Sequence, residues 1–206
     1  GDNYSSGTLT ANLLPLAMDI VPEYKRQAIE KSLLTRLANR HHGKVGCGVI
    51  GIQWLMRYLN RIGRNDLALK IATQQEYPGW GYMMAHGATT IWELWNGDTA
   101  NPAMNSGNHV MLLGDLLPWC YEAIAGIQGE NGFKHIVMSP DFNIVGIDSV
   151  SASHPTPYGT VTSKWKRREG KITWDIEIPV NTTATIQLPT GEKQEIGSGK
   201  YYFVST

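Results

Sequence analysis

A change of hydrophobic period at residues 126–132 divides this chain into two parts that cannot share one architecture. Upstream, apolar residues recur at helical spacing; downstream they alternate, and a pattern of period 3.6 cannot serve as one of period 2. Residues 8–18 place Leu9, Leu13, Leu16 and Ala17 on one face, with Pro15 expected to bend the helix. A second helix opens at Val21-Pro22-Glu23, with proline in its first turn and an acid beside its N-terminus. It runs through Ile29, Leu33, Leu34 and Leu37 to a stop at Gly43. Further helices are expected over 52–62, 66–75 and 108–125, so this part reads as helical hairpins joined by Gly-containing loops.

After the change, 160–166, 171–178 and 183–188 alternate, with Thr173, Asp175 and Glu177 opposite Ile172, Trp174, Ile176 and Ile178. Pro179, Pro189-Thr190-Gly191 and Gly197-Ser198-Gly199 punctuate these runs as turns. The expected fold class is multidomain, α then β: a helical domain over 1–128 and a small antiparallel β-sandwich over 129–206. Trp54, Trp119, Trp165 and Trp174 fall within the expected regular elements and read as core.

Eighteen basic and eighteen acidic residues in 206 balance, which gives no electrostatic case for nucleic acid or an anionic membrane. No apolar run reaches the roughly eighteen residues of a membrane span. The basic run Lys164, Lys166, Arg167 and Arg168, followed by Glu169-Gly170, reads as a solvated hairpin end. Cys47 and Cys120 have neither metal-ligand spacing nor a paired framework, so both read as reduced core residues. His41-His42 reads as a helix C-terminus. No Cys/His cluster implies a metal, and no cofactor is expected.

The chemistry concentrates in residues 77–97, YPGWGYMMAHGATTIWELWNG, which is too irregular for a plain helix or strand. Trp80, Tyr82, Trp92 and Trp95 offer flat apolar faces suited to the C–H faces of a pyranose, while close-spaced tryptophans also suit a core. Glu93 lies among Ile91, Trp92, Leu94 and Trp95. Poor solvation there would raise its pKa toward the range useful for proton transfer. Glu76 and Asp98 flank the segment as loop acids, and His86 lies within it.

Gly87-Ala88-Thr89-Thr90-Ile91-Trp92-Glu93-Leu94-Trp95-Asn96-Gly97 resembles the G-A-T-T-x-W-E-x-W-[DN]-G signature of bacterial α-L-rhamnosidases, glycoside hydrolase family 78. The resemblance covers nearly the whole chain. Gly7-Thr8-Leu9-Thr10-Ala11-Asn12 is similar to the opening of a barrel helix, and Gly48-Val49-Ile50-Gly51 to a later turn. Met104-Asn105-Ser106-Gly107-Asn108-His109 is similar to the S-M-N-H segment. Pro157-Tyr158-Gly159-Thr160-Val161, with Ser163-Lys164-Trp165, is similar to the entry of the terminal β domain.

This resemblance implies the last helices of an (α/α)6 barrel followed by a terminal β-sandwich. It implies that Glu93 is the general base of an inverting hydrolase and that His109 contacts the bound sugar. Trp80, Tyr82, His86, Trp92 and Trp95 would complete the substrate-binding set, with an apolar wall for the methyl group of rhamnose. The implied partner is a rhamnose-containing carbohydrate.

The family's proposed general acid lies in an upstream Arg-Asp-Glu-type segment that residues 1–76 do not match, so the chain is expected to be the C-terminal part of a larger enzyme. A half-barrel would expose apolar faces and self-associate. Two positions depart from the signature: Leu94 stands where a basic residue is common, and Asn96 where Asp is usual. These leave open which aglycone is accepted. A non-catalytic carbohydrate-binding fragment and another (α/α)6-barrel glycosidase are the alternatives; a pure aromatic platform has no use for an internal carboxylate.

Overall fold

In the computed structural model, which describes residues 3–205, the first part of the chain is helical. It comprises α1 (Leu9–Ala17), α2 (Glu23–Asn39), α3 (Val49–Arg61), α4 (Asn65–Thr73) and the short α5 (Trp80–Ala85). Thr8 caps α1, its hydroxyl accepting from the Ala11 N–H, and the helix continues past Pro15 for two residues. α1 packs against both α2 and α3. Leu9, Leu13 and Leu16 are buried there together with Ile29, Leu33 and Leu37 of α2 and Ile52, Leu55, Met56 and Leu59 of α3. Each such side chain contributes about 1.5–3 kcal/mol on burial.

Gly51 lies inside α3 and not in a turn. A Cβ there would fall 2.5 Å from the Cys47 Cβ and 2.6 Å from the Thr10 Oγ1, so glycine permits the close approach of α1 to the start of α3. The Cys47 thiol is pushed up to about 12 by burial, with the Asp115 charge adding to the effect, and it is an inert thiol. Trp54 is only partly buried, against expectation, and lies beneath the Arg57 guanidinium at 6.0 Å.

The single helix expected over 108–125 is broken into three turns. A 3-10 turn at Val110–Leu113 ends at Gly114, whose φ of 59° only glycine adopts readily. A Cβ at Gly114 would come within 2.3 Å of the Ile52 carbonyl, so this close approach to α3 also demands glycine. The chain then forms α6 (Leu116–Trp119), followed by a π-type turn at Cys120–Ala125. Just before α6, after Gly114, sits Asp115, 2% exposed, whose carboxylate accepts from the Met56 N–H at 3.1 Å and the Arg57 N–H at 2.7 Å while its own N–H donates to Ile52. Burial holds the Asp115 carboxyl above the usual carboxylate range, against the opposing pull of these donors and the Arg57 charge.

Contacts divide the chain into two compact units after Leu117. The second unit contains two four-stranded sheets. One runs β1 (Ile127–Glu130), β2 (His135–Met138), β6 (Thr183–Gln187), β7 (Lys193–Ile196); the other runs β3 (Ser149–Thr156), β4 (Gly159–Arg168), β5 (Lys171–Ile178), β8 (Gly199–Ser205). Among the described residues six strand pairs are formed and five are antiparallel. The exception is β2 with β6, which are separated in sequence by the whole β3–β5 meander and so need no hairpin.

Alternation in β4 and β5 sends Val161, Trp165, Trp174, Ile176 and Ile178 into a core shared with Ile127, Ile136, Met138, Ala184 and Ile186 of the other sheet. Trp119, Trp165 and Trp174 are at most 1% exposed. The π-type turn belongs to this unit. Its Ile124 and Ala125 carbonyls accept from the Trp165 indole N–H at 2.8 Å and the Ser163 hydroxyl at 2.6 Å. Glu169-Gly170, both at positive φ, close the β4–β5 hairpin. Arg167 is not solvated as expected. It is partly buried, donates to the Phe142 carbonyl, and lies 3.7 Å from Asp148.

Candidate active site

Residues 77–97 are more regular than the sequence suggests, since Trp80–Ala85 form a turn and a half of helix. Gly81 makes this possible: a Cβ there would lie 2.3 Å from the Gln74 carbonyl. Two of the four candidate rings face inward. Trp80 is 4% exposed and its indole donates to the Leu112 carbonyl at 3.0 Å; Trp95 is 9% exposed and donates to Cys47 at 2.9 Å. The two rings meet edge to face, with centroids 5.7 Å apart and planes at 76°. Their polar and apolar surfaces are thus taken up in pinning the loop to the helices.

Trp92 remains partly exposed. Its indole lies over Gly97, where a Cβ would come within 2.7 Å of the ring, which explains the glycine at that position. Tyr82 is also partly exposed. Its ring stacks on exposed His86 with centroids 3.9 Å apart, its hydroxyl donates to Asp98 at 2.8 Å, and Tyr77 meets it edge-on at 5.5 Å. The hydrogen bond to the Asp98 carboxylate, ahead of burial, raises the Tyr82 phenol above its usual range and keeps it a donor. Glu76, in contrast, pairs with Lys44, which holds its carboxyl below the usual range.

Glu93 and His109 come together through a ladder between two extended stretches. The His109 N–H donates to the Ile91 carbonyl at 2.7 Å, the Glu93 N–H donates to Ser106 at 2.9 Å, and the Thr90 hydroxyl donates to the Gly107 carbonyl. The Ser106 N–H in turn donates to Glu93 Oε2 at 2.9 Å, so backbone and side chain of Glu93 are both fixed by one residue. The Ser106 hydroxyl accepts from the Asn108 N–H and donates to the Asn108 carbonyl, which tightens the turn leading to His109. Asn105 spans the other end, accepting from the Leu94 N–H at 3.2 Å and donating to the Gly97 carbonyl at 3.3 Å.

His109 Nδ1 is buried and makes no hydrogen bond among the described residues. A polar atom in that state costs about 1–3 kcal/mol unless a partner arrives. Residues 104–109 stand out in the sequence by resemblance, but the tasks of Asn105 and Ser106 depend on contacts across eight to thirteen residues that no local pattern reveals. The role of Asp115 rests likewise on contacts with Met56 and Arg57, 59 and 58 residues away. Among the described residues no group of three His, Cys, Asp or Glu could hold a metal ion, and no helix is long and apolar enough to cross a membrane.

Known proteins with this sequence pattern share its fold. The α-L-rhamnosidase of Formosa agariphila is 34% identical over 197 residues, a match covering 93% of this chain and 21% of that protein. The α-L-rhamnosidase of Streptomyces avermitilis is 31% identical over 195 residues, covering 92% and 19%. A crystal structure of a Streptomyces avermitilis α-L-rhamnosidase complexed with L-rhamnose superimposes with a TM-score of 0.91 at 28% identity, over 100% of this chain and 22% of that one. The Dictyoglumus thermophilum α-L-rhamnosidase gives 0.89 at 30% identity, over 96% and 25%. The chain therefore spans about a fifth of the length of the relatives it matches. Residues 1–124 match the bacterial alpha-L-rhamnosidase 6 hairpin glycosidase domain and residues 124–203 match the bacterial alpha-L-rhamnosidase C-terminal domain, so the chain belongs to the bacterial α-L-rhamnosidase family.

Proposed function

We propose that this chain is the base-carrying part of an inverting glycoside hydrolase that removes terminal α-L-rhamnose from glycosides or polysaccharides. The observation that carries the reading is the fixed carboxylate of Glu93, held through Oε2 by the Ser106 N–H on the same ladder that holds His109. An inverting hydrolase sets two carboxyl groups about 6.5–9.5 Å apart. One protonates the leaving oxygen, and the other draws a proton from the water that attacks the anomeric carbon from the opposite face. Glu93 takes the second role. The acid belongs to a segment of the parent enzyme outside residues 1–206.

Sugar recognition divides by exposure. His109 is held by its backbone on the same ladder for contact with the sugar, while the partly exposed Trp92 and Tyr82 and the exposed His86 offer ring surface. Trp80 and Trp95 act from behind, as the pins that fix the loop. The substrate is a rhamnose-containing carbohydrate; in support, a relative of the same fold has been solved with L-rhamnose. An apolar contact for the sugar's methyl group is worth about 1–3 kcal/mol, enough to favour a 6-deoxy sugar over its hydroxylated counterpart.

The test is turnover of a panel of aryl glycosides by the full-length parent and its Glu93→Gln variant, with and without azide. Selective cleavage of the α-L-rhamnoside, loss in the variant, and recovery by azide as the product of inverted configuration support the assignment. An unimpaired variant leaves Glu93 as a binding or structural residue and removes the catalytic reading.

The helical unit also exposes large apolar side chains, among them Ile50, Met84, Met104 and Val110, each more than 60% exposed. Residues 1–206 alone are expected to self-associate through this surface. A sharp monomeric peak in light scattering on dilution, with cooperative thermal unfolding, would contradict that.

A further inference from the structure

We infer that Asn105 is a positioning residue for Glu93, an inference that rests on the reading of Glu93 as the base. Glu93 is followed at once by a turn in which the Gly97 N–H donates to the Leu94 carbonyl at 3.1 Å. The Asn105 amide bridges this turn, with Oδ1 on the Leu94 N–H and Nδ2 on the Gly97 carbonyl. Its orientation is dictated by its partners, because a backbone N–H only donates and a carbonyl only accepts. Aspartate would set a carboxylate oxygen against the Gly97 carbonyl, and leucine would serve neither group. An amide of this length satisfies both.

The next residue, Ser106, makes the reciprocal pair of bonds with Glu93. Four hydrogen bonds from two consecutive residues therefore fix the chain from 93 to 97. They commit Oε2 to the Ser106 N–H and leave Oε1 without a protein donor among the described residues, as the oxygen that can take the proton. Through Gly97 the same clamp holds the surface on which the Trp92 indole lies. Asn105 touches no reacting atom in this account. It acts by keeping the Glu93 carboxylate within the narrow range of positions that general base catalysis tolerates.

The experiment compares steady-state kinetics of full-length wild type, Asn105→Ala, Glu93→Gln and the double variant on an aryl α-L-rhamnoside, with thermal midpoints and hydrogen exchange of the peptide spanning 91–97. Asn105→Ala is expected to lower kcat on the order of ten- to a hundredfold with KM within about twofold. The thermal midpoint should shift by less than about 3 °C, and exchange over 91–97 should quicken. In the Glu93→Gln background the Asn105 substitution should cost no further kcat, since the group it positions is gone.

A loss confined to KM, or a kcat loss that multiplies fully with that of Glu93→Gln, overturns the inference. Glu93→Gln with full activity defeats the base reading instead. In that case, unchanged exchange over 91–97 in Asn105→Ala also removes the clamp, and quickened exchange with unchanged kcat reduces it to a structural bond.

Discussion

The two units use the same residue types to opposite ends. In the β unit, Trp165 and Trp174 are buried with their N–H groups satisfied internally: Trp165 donates to Ile124, and Trp174 donates to the Ser163 hydroxyl, which in turn donates to Ala125. In the helical unit, Trp80 and Trp95 are pinned in a similar way, but around them the closure is incomplete. Trp92, Tyr82 and His86 keep open faces, and His109 Nδ1 lies buried without a hydrogen bond among the described residues. A satisfied aromatic cluster is a core. One beside a fixed carboxylate and an unmatched imidazole nitrogen is the surface on which the proposed sugar site rests.

The sharpest way to break this contrast is through the cores. Trp174→Ala should destabilise the β unit by about 3–5 kcal/mol, as for any large aromatic removed from a closed core. Hydrogen exchange of the β-unit strands in the full-length enzyme checks it, and a loss below about 1 kcal/mol would mean that the sandwich core is far looser than its burial implies.

Asp115 is the intermediate case, a buried polar group that is satisfied. Asp115→Ala strands the Met56 and Arg57 N–H groups and should cost about 2–4 kcal/mol. Its titration gives a second handle. Because burial raises the native carboxyl above its usual range, the native state binds this proton more readily than the unfolded chain. The resulting stabilisation is complete below the ordinary carboxylate range and is lost as pH rises through the raised native value. The stability difference between wild type and Asp115→Asn should therefore fall with rising pH across that window, as measured by denaturation at a series of pH values. A difference that grows would reverse the assignment.

His109→Ala should show the smallest stability effect and the most telling one. Removing an unmatched buried nitrogen should leave the thermal midpoint of the full-length enzyme within a few degrees, while affinity for L-rhamnose falls by about 1–3 kcal/mol in calorimetric titration. A large stability loss with unchanged affinity would class His109 with Asp115 as a structural group.

The sequence was most informative where information is local. Alternation located β4, β5 and β6 to within a few residues, and apolar residues at helical spacing located α1 and α2. The run from Gly87 to Gly97 pointed to Glu93 through its resemblance. What stayed hidden depends on approach between distant segments. Gly114 breaks the helix expected over 108–125 because the Ile52 carbonyl lies against it, and nothing near Gly114 in sequence announces Ile52. Trp54 has helical spacing but lies on a partly open face under Arg57. Arg167 sits in a basic run that looks solvated, yet its guanidinium is drawn inward to the carbonyls of Phe142 and Ile144. Trp80 and Trp95 look like sugar platforms until their indole partners are known.

The central claim is that Glu93 is a catalytic base and not one more satisfied polar group. The most direct measurement is kcat of the full-length Glu93→Gln enzyme on an aryl α-L-rhamnoside, with and without azide. A loss of about 10²- to 10⁴-fold, reversed by azide with formation of the β-configured glycosyl azide, is the predicted result. Wild-type kcat in the variant, with azide having no effect, would contradict it.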